Sequence, residues 1–160
     1  MLPDGCADWV CMGDAFHWTD RDKALPEIRR ILKTGGHFTA IWSLRDLEND
    51  PLQRQVDHMI RDLVPGIRRV YEDVEQLFEE LPRVLSDEDG FTDCIEVTGR
   101  HREPTPPERY LGMWGLSYGV QSQAGPAVWP HILDSIEALV RNKDVLTLQY
   151  VTRSWSATAA

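Results

Sequence analysis

Two short apolar runs lie near the amino terminus, residues 9–12 (WVCM) and 38–42 (FTAIW), and the segment between them has helical spacing. Ala24, Leu25, Ile28, Ile31 and Leu32 fall on one helical face. Asp20 stands at the N-cap position, and Gly35-Gly36 forms a stop and turn. Pro26 is awkward inside that helix, which either kinks there or begins its regular part there. Strand, loop, helix, turn and strand in this order predict a parallel pair with a right-handed crossover. Ligands of such open sheets bind beyond the carboxyl ends of the strands, which directs attention to residues 13–18 and to the segment after Trp42.

The pattern continues with a helix from Pro51, capped by Asp50 and carrying Leu52, Val56, Met59, Ile60 and Leu63 as its apolar stripe. A short acidic helix over residues 72–81 turns Val74, Leu77, Phe78 and Leu81 inward. Residues 87–90 read as a solvated turn and residues 91–99 as a strand. Three prolines make residues 101–107 a loop. Thr105 then caps a helix that starts at Pro106 or Pro107, holds Tyr110, Leu111, Trp114 and Leu116, and ends near Tyr118-Gly119. A long helix follows over residues 126–140, then a final alternating strand over residues 145–155, with residues 156–160 frayed. The fold class expected is α/β, with helices on the faces of the sheet and a late antiparallel strand pair.

Composition narrows the function. At 160 residues and 42% hydrophobic, the chain suits one domain with a real core. A formal charge of -9 and a pI near 4.9 argue against a nucleic-acid surface and for a cytoplasmic protein. No apolar stretch approaches the roughly 18 residues of a membrane span, and no secretory leader is visible. Cys6, Cys11 and Cys94 have no metal-ligand spacing and read as buried reduced thiols. The remaining histidines, His37, His58, His101 and His131, show no metal spacing either.

The ordered motifs resemble class I S-adenosylmethionine-dependent methyltransferases of the broad methyltransferase type 11 group. Leu2-Pro3, Asp8 and Val10 come first, then Ala15-Phe16-His17-Trp18. Glu27-Ile28-Arg29-Arg30-Ile31-Leu32-Lys33 with Gly35-Gly36 follows, then Trp42 and Arg45-Asp46. The tight match covers about a quarter of the chain. The family's glycine-rich turn and first acidic residue would precede residue 1, so the chain reads as the carboxyl-terminal part of an incomplete Rossmann-like methyltransferase sheet.

The resemblance implies S-adenosyl-L-methionine as cofactor and a small-molecule acceptor. It places Asp14, Ala15, Phe16, His17 and Trp18 in the cofactor loop, with plain core packing as the alternative for Phe16 and Trp18. His17 is the candidate catalytic residue, as a general base; alternatively it orients the loop by local hydrogen bonds. Trp42 and Arg45 would line the acceptor pocket, with Arg45 facing either a substrate carboxylate or Asp46 or Glu48. Tyr110, Trp114 and Tyr118 share one helical face, as a lid over the acceptor or as a core stripe.

Two functions follow. One is methyl transfer by a truncated or partial enzyme. The other is a catalytically silent remnant acting as a binding or oligomerisation module, with homodimerisation through the uncovered edge of the strand at residues 9–12. An α/β-hydrolase half is disfavoured because no nucleophile motif accompanies the strands.

Overall fold

The structure, a computed structural model, describes residues 2–86 and 90–160. Its strands are β1 (Ala7–Gly13), β2 (Leu32–Arg45), β3 (Phe91–Thr105) and β4 (Leu146–Ala159), in the sheet order β1-β2-β4-β3. The helices are α1 (Arg21–Ile31), α2 (Pro51–Leu63), α3 (Val70–Val84), α4 (Pro107–Gly115) and α5 (Tyr118–Val140), and a single 3-10 turn spans Phe16–Trp18. The chain forms two compact units. The first comprises Met1–Ser43, Asp73–Gly99 and Thr152–Ala160, and the second Leu44–Glu72 and Arg100–Val151. The α/β class with helices packed on a mixed sheet agrees with the sequence.

In the first unit, β1 and β2 run parallel, with Val10 opposite Phe38 and Met12 opposite Ala40. β4 runs antiparallel to β2, since Thr39 Oγ1 meets Ser156 Oγ at 2.9 Å and Ser43 Oγ accepts from Thr152 Oγ1 at 3.3 Å. β3 is antiparallel to β4, through Glu96 with Arg153 and the Ala160 N–H donated to the Gly90 carbonyl. This is the late antiparallel pair expected. The alternate positions Phe38, Ala40 and Trp42 are buried, as are Leu25 and Ile28 of α1 and Val74, Leu77, Phe78 and Leu81 of α3. α1 passes through Pro26 without ending, and the Asp20 carbonyl accepts from the N–H groups of Lys23 and Ala24. The Asp20 carboxylate binds Lys23 Nζ at 2.6 Å instead of capping the helix.

The Gly35-Gly36 turn is absorbed into β2. Ala7 pairs with Leu32 and Trp9 with His37, so β2 bulges across the glycines. Gly35 has φ +78, and a Cβ on Gly36 would stand 2.9 Å from the Lys33 carbonyl oxygen and 3.0 Å from that of Asp8.

In the second unit, Asp50 caps α2 through the Gln53 N–H at 3.1 Å, with Pro51 in the first turn, as expected. The same carboxylate accepts from Gln53 Nε2 at 2.9 Å and from the Gln149 N–H at 2.8 Å, so this buried charge is satisfied. Val56, Ile60, Tyr110, Trp114, Ile132 and Leu148 belong to the core between α2, α4, α5 and β4.

Several expectations are corrected. The thiols expected to be buried are not: Cys6 and Cys11 are exposed and Cys94 is half-buried, and Trp9, on the edge strand β1, is 65% exposed. β3 continues to Thr105 through the supposed loop, because an edge strand tolerates Pro104. Pro106 occupies the N-cap position of α4, while the Thr105 hydroxyl donates to the Glu103 carbonyl. α4 stops at Gly115, which leaves Tyr118 exposed and off the Tyr110 and Trp114 face. Residues 118–124 are helical, and Gly125 at φ +70 breaks α5 before Pro126 restarts it. The last residues are ordered, with Ala157 and Ala159 buried. The turn expected at residues 87–90 lies outside the described residues except for Gly90.

The two glycines separate two costs. Gly36→Ala is expected to destabilise by about 3 kcal/mol, because both clashing atoms are backbone. Gly35→Ala is expected to cost about 1 kcal/mol for its positive φ in open space. Urea unfolding of both variants checks this order, and equal losses would refute it.

Candidate functional site

In the first unit the loop after β1 joins the carboxyl ends of the two parallel strands. Asp14 lies directly beyond β1 with φ +47. Its N–H donates to the Ile41 carbonyl at 2.8 Å, and its Oδ1 accepts from the Ser43 N–H at 3.3 Å. The conformation is uncommon for a non-glycine residue and is tolerated best by Asp and Asn. Ala15 is half-buried. Phe16 is fully buried, edge-on to Phe38 at 5.4 Å, so its ring is core; its carbonyl accepts from Thr19 Oγ1 at 2.7 Å.

His17 is half-buried, and its Nδ1 accepts from the Trp42 indole N–H at 3.1 Å. That bond assigns the proton to Nε2, and Nε2 is buried without a hydrogen-bond partner among the described residues. Burial lowers the His17 pKa from its ordinary value near 6.5, against the opposing charges of Asp14 and Asp73. The imidazole is therefore neutral at physiological pH, its lone pair faces Trp42, and it presents an N–H. Trp18 tilts against His17 at 5.0 Å and is 76% exposed.

Trp42 belongs with this loop. Its ring is enclosed by Phe78 at 5.1 Å and Trp155 at 5.9 Å. The Arg153 guanidinium, held by Glu96 at 2.6 Å, lies over Phe78 and Trp155. What Trp42 offers the loop is its indole N–H rather than its face.

Arg45, Tyr110 and Trp114 come together in the second unit. The Arg45 guanidinium lies 3.9 Å above the Trp114 ring centroid. The alternative partners considered for it are engaged elsewhere or not in contact. Asp46 pairs with Arg100 at 3.3 Å and accepts from Asn49 Nδ2, and no ion pair joins Arg45 to Asp46 or Glu48 among the described residues. Burial lowers the Arg45 pKa; the Tyr110 and Tyr150 hydroxyls oppose that, and Arg69 adds to it. Burial raises the pKa values of Tyr110 and Tyr150, so both hydroxyls keep their protons at neutral pH.

Tyr150 and Arg69 were missed from sequence. Asp46 donates its N–H to the Gln149 carbonyl at 3.0 Å, and this antiparallel register sets Arg45 opposite Tyr150. His101 of β3 stacks on Tyr150 at 5.4 Å. An open groove of about 500 Å³ is lined by Asp46, Arg100, His101, Arg102, Gln149 and Tyr150, among others. The alternation of β4 placed Tyr150 on one face, but only the pairing shows what it faces.

Comparison with known proteins gives these similarities. The methyltransferase domain family matches residues 1–40. An uncharacterized methyltransferase of Schizosaccharomyces pombe is 32% identical over 77 residues, 48% of this chain and 30% of that protein. One of Mycobacterium bovis is 40% identical over 45 residues, 28% of this chain and 18% of that protein. The chain thus spans less than a third of the length of these curated relatives. A solved chain of Anaeromyxobacter dehalogenans, proposed as a type II methyltransferase, shares the fold with a TM-score of 0.61 at 19% identity, over 99% of this chain and 66% of that one.

The lowered pKa of His17 fixes a sign. The unfolded chain takes up the proton first as pH falls, so the stability that the neutral imidazole supports is whole above about pH 6.5 and declines below it. Wild type is expected to lose its advantage over His17→Gln between pH 7.5 and pH 5.5 in urea unfolding. A gap that is constant or grows in acid would refute the assignment.

Proposed function

We propose that this chain, whose first 40 residues match a methyltransferase domain and whose fold is that of class I S-adenosylmethionine-dependent methyltransferases, takes part in methyl transfer from S-adenosyl-L-methionine to a small-molecule acceptor. The observation that carries the reading is the loop at residues 14–18. It begins with Asp14 in a left-handed conformation at the carboxyl edge of the parallel pair, where open α/β sheets bind ligands. The uncovered Trp18 ring, tilted against His17, is a stacking surface of the kind a nucleoside requires.

When bound, the cofactor supplies a methyl group already activated on a sulfonium, so the protein's work is alignment and exclusion of water. In this reading Asp14, Ala15, His17 and Trp18 hold the cofactor, while Phe16 anchors the loop in the core. His17 acts as a positioning group, since its lone pair is taken by Trp42. Arg45, Tyr110 and Trp114 serve the acceptor. The free thiols of Cys6, Cys11 and Cys94 support the cytoplasm as its compartment. No helix among the described residues is long and apolar enough to cross a membrane.

A second reading is a catalytically silent binding module that dimerises through the edge of β1, favoured by the exposure of Trp9 on that strand.

Calorimetric titration with S-adenosylhomocysteine separates the two. The first reading expects saturable binding in the micromolar range, weakened about tenfold by Trp18→Ala through loss of a stacked ring. No heat from a cooperatively folded chain would overturn it. The second reading expects a dimer in light scattering that Trp9→Lys converts to monomer, and a monomeric wild type would overturn it.

A further inference from the structure

We propose that Arg45 is the seat of a carboxylate group on the acceptor, with Trp114 beneath it and Tyr150 opposite it across the strand pair. The inference rests on the reading of this cluster as the acceptor side and adds the chemical class of what it takes.

Most arginines of the second unit are held by a partner. Arg61 is held by Asp57 at 2.9 Å and Glu72 at 2.8 Å, and Arg69 by Asp57 at 3.2 Å. Arg100 takes Asp46, and Arg109 takes Glu103 at 3.3 Å. Arg54 donates to the Leu47 and Glu48 carbonyls. Arg45 is half-buried, and no carboxylate or carbonyl forms an ion pair or hydrogen bond with its guanidinium among the described residues; its contact is the face of Trp114. The nearest cation worsens its position. Arg69 lies over the same indole at 5.6 Å and shares its carboxylate, Asp57, with Arg61. Asp57 acts on Arg45 only at a distance, being paired with Arg61 and Arg69, and a partly desolvated cation with no bonded carboxylate is stabilised by an anion that arrives from outside.

The geometry selects the kind of anion. Trp114 occupies the flat face of the guanidinium, which leaves the N–H edge for a planar, bidentate partner. Arg45 opposes Tyr150 across β2 and β4, and both tyrosines remain protonated donors. One unpaired cation flanked by neutral hydroxyls matches a planar monoanion. A phosphate dianion would call for a second cation beside the guanidinium, and Arg69, which lies over the same indole, is already paired. The carboxylates near Arg45 in sequence are committed away from it, Asp46 to Arg100 and Asp50 to Gln53 and Gln149.

The test uses the full chain without cofactor and follows tryptophan emission, since one indole lies under the guanidinium. Benzoate and succinate are titrated against methyl benzoate, dimethyl succinate and inorganic phosphate. The expected result is a saturable change with the acids, at least about tenfold weaker binding of the esters, and weaker binding of phosphate than of the acids. Arg45→Met is expected to weaken acid binding at least about tenfold while leaving the melting temperature in buffer unchanged or raised. Arg45→Lys, which keeps the charge and loses the fork, is expected to fall between. Esters binding as well as acids, phosphate binding better, no response to any acid, or unchanged binding by Arg45→Met would each overturn the proposal. So would a marked fall in the melting temperature of Arg45→Met, which would make Arg45 a structural element. The S-adenosylhomocysteine titration is independent: loss of cofactor binding with acid binding intact rejects the cofactor reading alone.

Discussion

Trp42 is the side chain on which the first unit depends. Its ring fills the space between Phe78 and Trp155 on the buried face of β2. Its N–H reaches out of that core to His17. One residue therefore ties aromatic packing, worth several kcal/mol in a fully buried indole, to the tautomer of a loop imidazole. With Nδ1 committed to Trp42 and Nε2 buried, the tautomer of the loop imidazole is set by a contact made within the core.

Asp50 has the corresponding position in the second unit. It caps α2, binds a side-chain amide of the same helix, and accepts the N–H of Gln149 on β4. A helix start and a strand are fixed by one buried carboxylate, and that strand holds Tyr150 opposite Arg45. The order of α2 and β4 is thus also the order of the cluster around Trp114.

Much of this was legible in the sequence because it is local. The 3.6-residue stripes of α1, α2 and α3 declared which faces are buried, and Asp50-Pro51 declared a helix start. The order of motifs from residue 2 to Asp46 carried the resemblance to methyltransferases, which the family match over residues 1–40 bears out. What was illegible is non-local. The exposure of Trp9 and Cys11 follows from β1 having one neighbour, and the strand character of residues 101–105 follows from β3 being an edge that tolerates Pro104. Trp42 and Arg45 looked like one pocket wall because they are close in sequence. Three positions apart on a strand, they point to opposite faces and serve separate clusters. That Arg45 lacks a carboxylate is visible only once Asp46 is seen to face Arg100.

The sheet order carries a consequence for how the chain is made. β4, the fourth of these strands in chain order, lies between β2 and β3. Before residues 146–159 are available, β2 has β1 on one side and a bare edge on the other, and β3 has no partner in the sheet. Early elements wait for the last one, and the pairings that complete the sheet close loops of about a hundred residues, such as Thr39 to Ser156 and Asp46 to Gln149. Chains dominated by such distant pairings fold slowly and expose strand edges while they do so. Between the pairing of β1 with β2 and the docking of β4, a half-sheet is held open along one edge.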